Sequence, residues 1–118
     1  MARYIQAFII PVPKKKVKTY QAMAKKSAKL WIKCGALEYF ETLADDVEKG
    51  KVTSFPRSVK LKSSETVALG YVVYKSRAHR DQVMKKAMND EAFAKLWEDM
   101  PMDGMRMFMG GFKEIAKG

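Results

Sequence analysis

The run Thr66-Val-Ala-Leu-Gly-Tyr-Val-Val-Tyr74 constrains the fold more than any other stretch of the chain. Its apolar residues occupy both parities of a period-two pattern, so a strand here has two buried faces and belongs inside a sheet. The chain passes at once into Ser76-Arg-Ala-His-Arg-Asp81, where Ser76 is placed to cap a helix that runs to about Met88. A central strand feeding a helix needs other strands on both edges and a layer over each face.

The remaining segments supply those strands. Tyr4–Ile10 reads as a strand that is apolar on both sides, and Pro11-Val-Pro13 is expected to stop its ladder, since proline has no N–H to donate. Lys14–Cys34 reads as a long amphipathic helix. Val17, Tyr20, Ala24, Ser27, Ala28 and Trp31 lie on its inner side, and Gly35 supplies the left-handed stop. Ala36–Leu43 alternates as a strand, with Leu37, Tyr39, Glu41 and Leu43 on one side. Val52–Leu61 contains Pro56 and is expected to be an edge strand, a short helical turn or an ordered loop. Asn89 or Asp90 caps a further short helix carrying Phe93, Leu96 and Trp97, and Met105–Phe112 is the last strand, weakened at Gly110-Gly111.

The order β-α-β-β-α-β predicts a single α+β domain over residues 1–118, with a ferredoxin-like antiparallel sheet covered by helices on one face. Two helices cover one side only, yet the first and third strands are apolar on both. Leaving the second face bare exposes an apolar patch larger than monomers usually carry. A second copy packed sheet to sheet removes it and predicts a homodimer, a dimeric α/β barrel. The rival expectation is that the C-terminal segment folds back over that face.

Several motifs also carry a resemblance. Phe8-Ile-Ile-Pro-Val-Pro-Lys14, Gly35-Ala-Leu-Glu-Tyr39, Asp45-Asp-Val47, Thr53-Ser-Phe-Pro-Arg57, Ser76–Asp81 and Met100-Pro-Met-Asp-Gly104, with Arg106 and Gly110-Gly-Phe112, span nearly the whole chain. Together they resemble the YbaA-like family, domain of unknown function 1428. The resemblance implies membership of the dimeric α/β-barrel proteins and brings no established activity with it. The chain departs from the family pattern at Ala68-Leu-Gly-Tyr71, where a bulkier aromatic-containing run is usual, and at Met84, where asparagine is expected. Both departures imply a more apolar space between helix and sheet.

The net charge of +10 is concentrated. Residues 1–34 hold nine basic side chains and no acidic one, while the rest of the chain holds fourteen basic and thirteen acidic. Lys25, Lys26, Lys29 and Lys33 on the first helix therefore form a candidate phosphate-following surface, with nucleic acid as an alternative partner. No apolar run reaches the roughly 20 residues that span a membrane, and the N-terminus lacks a signal-peptide core, so a cytoplasmic location is expected. One cysteine and one histidine leave no metal constellation, and no cofactor is expected.

His79 and Arg80 near a helix N-terminus are weak candidates for acid–base or anion-orienting chemistry, set against ordinary capping and pairing. Arg57, Tyr39, Tyr71, Arg106 and Trp31 are the candidate lining of a small-molecule pocket between sheet and helices. The same aromatics also serve as plain core. Three functions fit these observations: a small-molecule-binding dimer, with or without enzymatic activity; an RNA-binding protein using the first helix; and a structural or regulatory dimer with no ligand.

Overall fold

The computed structural model describes residues 2–118. The strands are β1 (Tyr4–Pro13), β2 (Glu38–Leu43), β3 (Glu65–Tyr74) and β4 (Phe108–Lys113). The helices are α1 (Val17–Lys33), α2 (Phe55–Ser58), α3 (Arg77–Met88) and α4 (Glu91–Glu98), and a 3-10 turn at Lys14–Lys16 leads into α1. The result is an α+β fold with one open, four-stranded sheet in the order β2-β3-β1-β4, every neighbouring pair antiparallel.

β3 takes the interior place its composition requires, and seven of its ten residues are buried. Ser76 caps α3, its hydroxyl accepting the His79 N–H at 3.1 Å. Asp90 does the same for α4. Gly35 ends α1 at φ +116, a left-handed conformation that favours glycine. The proline-containing segment resolves into α2, capped by Ser54.

Two boundaries differ from expectation. β1 continues through Pro11 and Pro13, paired with Val67 and Glu65. β4 pairs with β1 only as far as Ile9–Phe108, so beyond Ile9 one side of β1 has no neighbouring strand. The Lys14 N–H is directed to Ser64 of the β3 side, whereas the odd-numbered Arg3 carbonyl accepts from Glu114 after β4. By alternation, the missing N–H groups of both prolines point toward the vacated side, where they cost no ladder bond. The last strand begins at Phe108, later than expected, because Asp103–Arg106 forms a turn held by the Asp103 carboxylate on the Met105 N–H and by the Arg106 side chain.

Even-numbered residues of β1 and β3 face the helices. Val72 and Tyr74 pack with Cys34, Ala36, Val83, Ala87 and Phe93, and Ile10, Val12 and Ala68 pack with Tyr20. Phe93 is 0% exposed and is flanked by Trp31 at 5.0 Å and Trp97 at 4.9 Å between ring centroids. The Phe8 ring crosses Gly70, where an added Cβ would lie 2.2 Å from Phe8 Cζ. The opposite face of the sheet is half finished. Val59 and Leu61 cover Ile9 and Val67 at one end. Phe40, Phe108 and Phe112 stand 45%, 46% and 60% exposed across the rest. The C-terminal segment does not cover them; Ile115 is 97% exposed.

Candidate functional site

Between the helix-facing side of the sheet and the helices lies a cavity of about 360 Å³. β1 contributes Gln6, Phe8 and Ile10; α1 contributes Tyr20, Ser27 and Trp31; β2 contributes Tyr39 and Glu41. Val72 and Tyr74 complete the sheet side. Met109 of β4 lies on the sheet side as well, and Met84, Met88, Trp97, Met100 and Met107 close the other. Aromatic rings and flexible thioethers thus make nearly all of the wall, a composition that adapts to varied apolar shapes.

One polar network interrupts that wall. The Tyr20 and Tyr39 hydroxyls each donate to a different oxygen of the Glu41 carboxylate. With its proton given to Glu41, Tyr39 accepts from the Ser27 hydroxyl at 3.1 Å. Helical spacing brings Tyr20 and Ser27 to one face of α1, and strand alternation brings Tyr39 and Glu41 to one face of β2. Burial, reinforced by the negative charge of Glu41, pushes both phenols far above the ordinary tyrosine value. They remain protonated donors across the physiological range. Tyr74 sits on the same wall with a buried hydroxyl that has no partner among the described residues. Such an unpaired group costs about 1–3 kcal/mol.

A second polar cluster stands beside the cavity. Arg80 donates to Gln6 Oε1 at 2.5 Å and to Asp81 at 2.7 Å, and its guanidinium lies 5.1 Å from the Tyr4 ring centre. The alignment of Arg80 with the apolar stripe of α3 is thereby satisfied by a carboxylate, an amide and an aromatic face. His79 is engaged in the start of the helix: its Nδ1 accepts the Lys75 N–H at 3.0 Å, and its ring meets Tyr74 edge-on. It does not line the cavity.

Of the five residues expected around a pocket, Tyr39 and Trp31 come together. The other three serve elsewhere. Arg57 holds its own loop through the carbonyls of Lys49 and Gly50 and borders an open surface cleft with Lys14, Lys60 and Lys62. Arg106 grips Glu65 with two hydrogen bonds, at 2.5 and 2.8 Å, and reaches Asp103 and the carbonyls of Val59 and Lys60. Tyr71 lies on the opposite side of the sheet against Phe40, 5.1 Å between ring centroids. Its odd parity in β3 sends it there. Sequence reasoning did not select Gln6, Tyr20, Ser27 or Glu41. The available signal was a glutamate on the buried parity of a strand, between Tyr39 and Leu43.

Lys25, Lys26, Lys29 and Lys33 are all exposed on α1, while Tyr20 and Trp31 turn inward to the cavity. Among the described residues no group of three His, Cys, Asp or Glu side chains is arranged to hold a metal ion, and no helix is long and apolar enough to cross a membrane.

Comparison with known proteins agrees with the resemblance in the motifs. Residues 3–104 match the model of a protein family of unknown function, DUF1428. The chain belongs to the DUF1428 family. Uncharacterised YbaA proteins of Escherichia coli K12, Escherichia coli O157:H7 and Shigella flexneri are each 40% identical over 113 residues, covering 96% of this chain and 97% of theirs. Among solved structures, the de novo designed protein Foldit4 superposes with a TM-score of 0.45 at 8% identity, covering 99% of this chain and all of its own. The cavity described above is thus carried by a DUF1428 chain whose relatives have no stated activity.

Proposed function

We propose that this DUF1428 protein binds a small molecule in the cavity between sheet and helices. The observation that carries the reading is the cavity's construction. An aromatic and methionine-rich wall of ligand-pocket volume surrounds a few convergent polar groups, Glu41, Tyr20, Tyr39 and Ser27. A wall evolved only for packing has no need of a carboxylate there. The cavity supplies binding and orientation; a reaction would draw on the same carboxylate and phenols as its proton-handling groups.

The methionine methyl groups report directly on occupancy. In a methyl-labelled NMR fragment screen, flat apolar fragments shift Met84, Met88, Met107 and Met109, while Met105, 93% exposed and away from the cavity, stays still. A screen in which no fragment moves the cavity methyls, or in which Met105 moves equally, contradicts the reading.

The assembly proposed with it is a homodimer of ferredoxin-like sheets that forms a dimeric α/β barrel. The supporting observation is the bare face carrying Phe40, Tyr71, Phe108 and Phe112, which the C-terminal segment does not cover. A two-fold contact sets the same patch against itself and buries all four. A second reading, RNA binding along α1, is supported by the four outward lysines alone. It requires an affinity that falls steeply with salt and disappears in a Lys25, Lys26, Lys29 and Lys33 to glutamate variant.

A further inference from the structure

We propose that the molecule bound in this cavity carries a positive charge: a protonated or quaternary amine attached to a flat apolar body. The inference rests on the small-molecule reading above and names its substrate class. Among the described residues that line the cavity, Glu41 alone is charged at neutral pH. It forms no salt bridge among the described residues, although the chain as a whole carries +10. The nearby cation, Arg80, is engaged with Asp81 at 2.7 Å, the Gln6 amide and the Tyr4 ring, and does not line the cavity.

Glu41 is therefore a carboxylate held by neutral donors only. A carboxylate has about four acceptor positions, and the two phenols use one on each oxygen. The remaining capacity is open to the occupant. A neutral ligand that displaces water from Glu41 strips the charge of solvation without replacing it, which is costly. An anionic ligand adds repulsion. A ligand ammonium instead forms a charge-assisted hydrogen bond with the carboxylate. The rings of Tyr20, Tyr39, Trp31 and Trp97 line the same cavity, and aromatic faces attract cations.

The test is calorimetric titration of the full chain with three matched probes: 2-phenylethylammonium, 2-phenylethanol and phenylacetate. They share a ring and nearly the same length and differ in charge. The ammonium should bind about tenfold or more tighter than the alcohol, the scale of a hydrogen bond to a charged group, with phenylacetate weakest. Glu41→Gln should remove that preference, bringing the affinities of the ammonium and the alcohol together. Equal or tighter binding of the alcohol or phenylacetate overturns the charge inference and leaves a small-molecule cavity standing. Failure of all three to bind overturns both. The ranking in the native protein decides the matter even where Glu41→Gln does not fold.

Discussion

The two faces of this sheet are made from alternate residues of the same strands, and they are finished in opposite ways. On the helix side, Val72, Tyr74, Val83 and Phe93 are closed under α1, α3 and α4, and a lined cavity remains beside them. On the other side, Phe40, Phe108 and Phe112 stand uncovered, with Val59 and Leu61 shielding one end only. The first face completes itself within one chain and keeps an interior space with a charge in it. The second is apolar and uncharged over its centre, and the chain leaves it bare. The division of labour proposed here follows: ligand on one face, second copy on the other.

The largest expected effect lies on the closed face. Phe93→Ala removes a fully buried ring from between Trp31 and Trp97 and should cost about 3–5 kcal/mol in urea denaturation. Phe40→Ala, on the open face, should cost far less in fold stability and weaken assembly instead. Equal costs for the two would erase the contrast between the faces.

Gly70→Ala comes next. The new methyl meets the Phe8 ring at 2.2 Å and the Phe40 carbonyl at 2.9 Å, so Phe8 is driven toward the cavity it lines. A stability loss of about 1–3 kcal/mol is expected, together with weaker ligand binding. Unchanged affinity would show that Phe8 has room to move elsewhere.

A smaller effect tests the rim that anchors the open face's covered end. Hydrogen bonds from Arg106 hold the Glu65 carboxyl below the ordinary glutamate range. Stability from this lowered pKa is present above the unfolded value of about 4.3 and is lost as pH falls through the folded value. Glu65→Gln should therefore lower Tm by roughly 5 °C at neutral pH, with the gap narrowing on acidification. A gap that is constant with pH would separate Glu65 from this role. The smallest effect is expected from Lys25→Glu on the outer face of α1, within about 0.5 kcal/mol, since the side chain is exposed.

Much of the fold was legible because each strand and helix carries its own periodicity. The two-sided apolar pattern of β3 placed it inside the sheet, and Ser76, Gly35 and Asp90 marked helix ends by chemistry that acts within a few residues. β1 ran further than expected because the harm done by Pro11 and Pro13 depends on whether a strand lies alongside, which is a fact about β4. The site was legible in part. Tyr39 and Trp31 carry a local sign of facing inward. Arg57 and Arg106 looked equally polar and available, but Arg57 is taken up by carbonyls of its own loop, and Arg106 by Glu65 and the Val59 carbonyl, near in space and far in sequence. Glu41 was missed for the converse reason. It shares the parity of Tyr39 in β2, but its role depends on α1 bringing Tyr20 over it, a contact that neither segment shows alone.

The most direct measurement of the account is native mass spectrometry of the wild-type protein and a Phe40→Lys, Phe112→Lys variant, each with 2-phenylethylammonium. The wild type should appear as a dimer carrying the ligand, and the variant as a monomer that still takes it up. A monomeric wild type, or a ligand lost together with the dimer, would contradict the assignment of one face to the ligand and the other to the second copy.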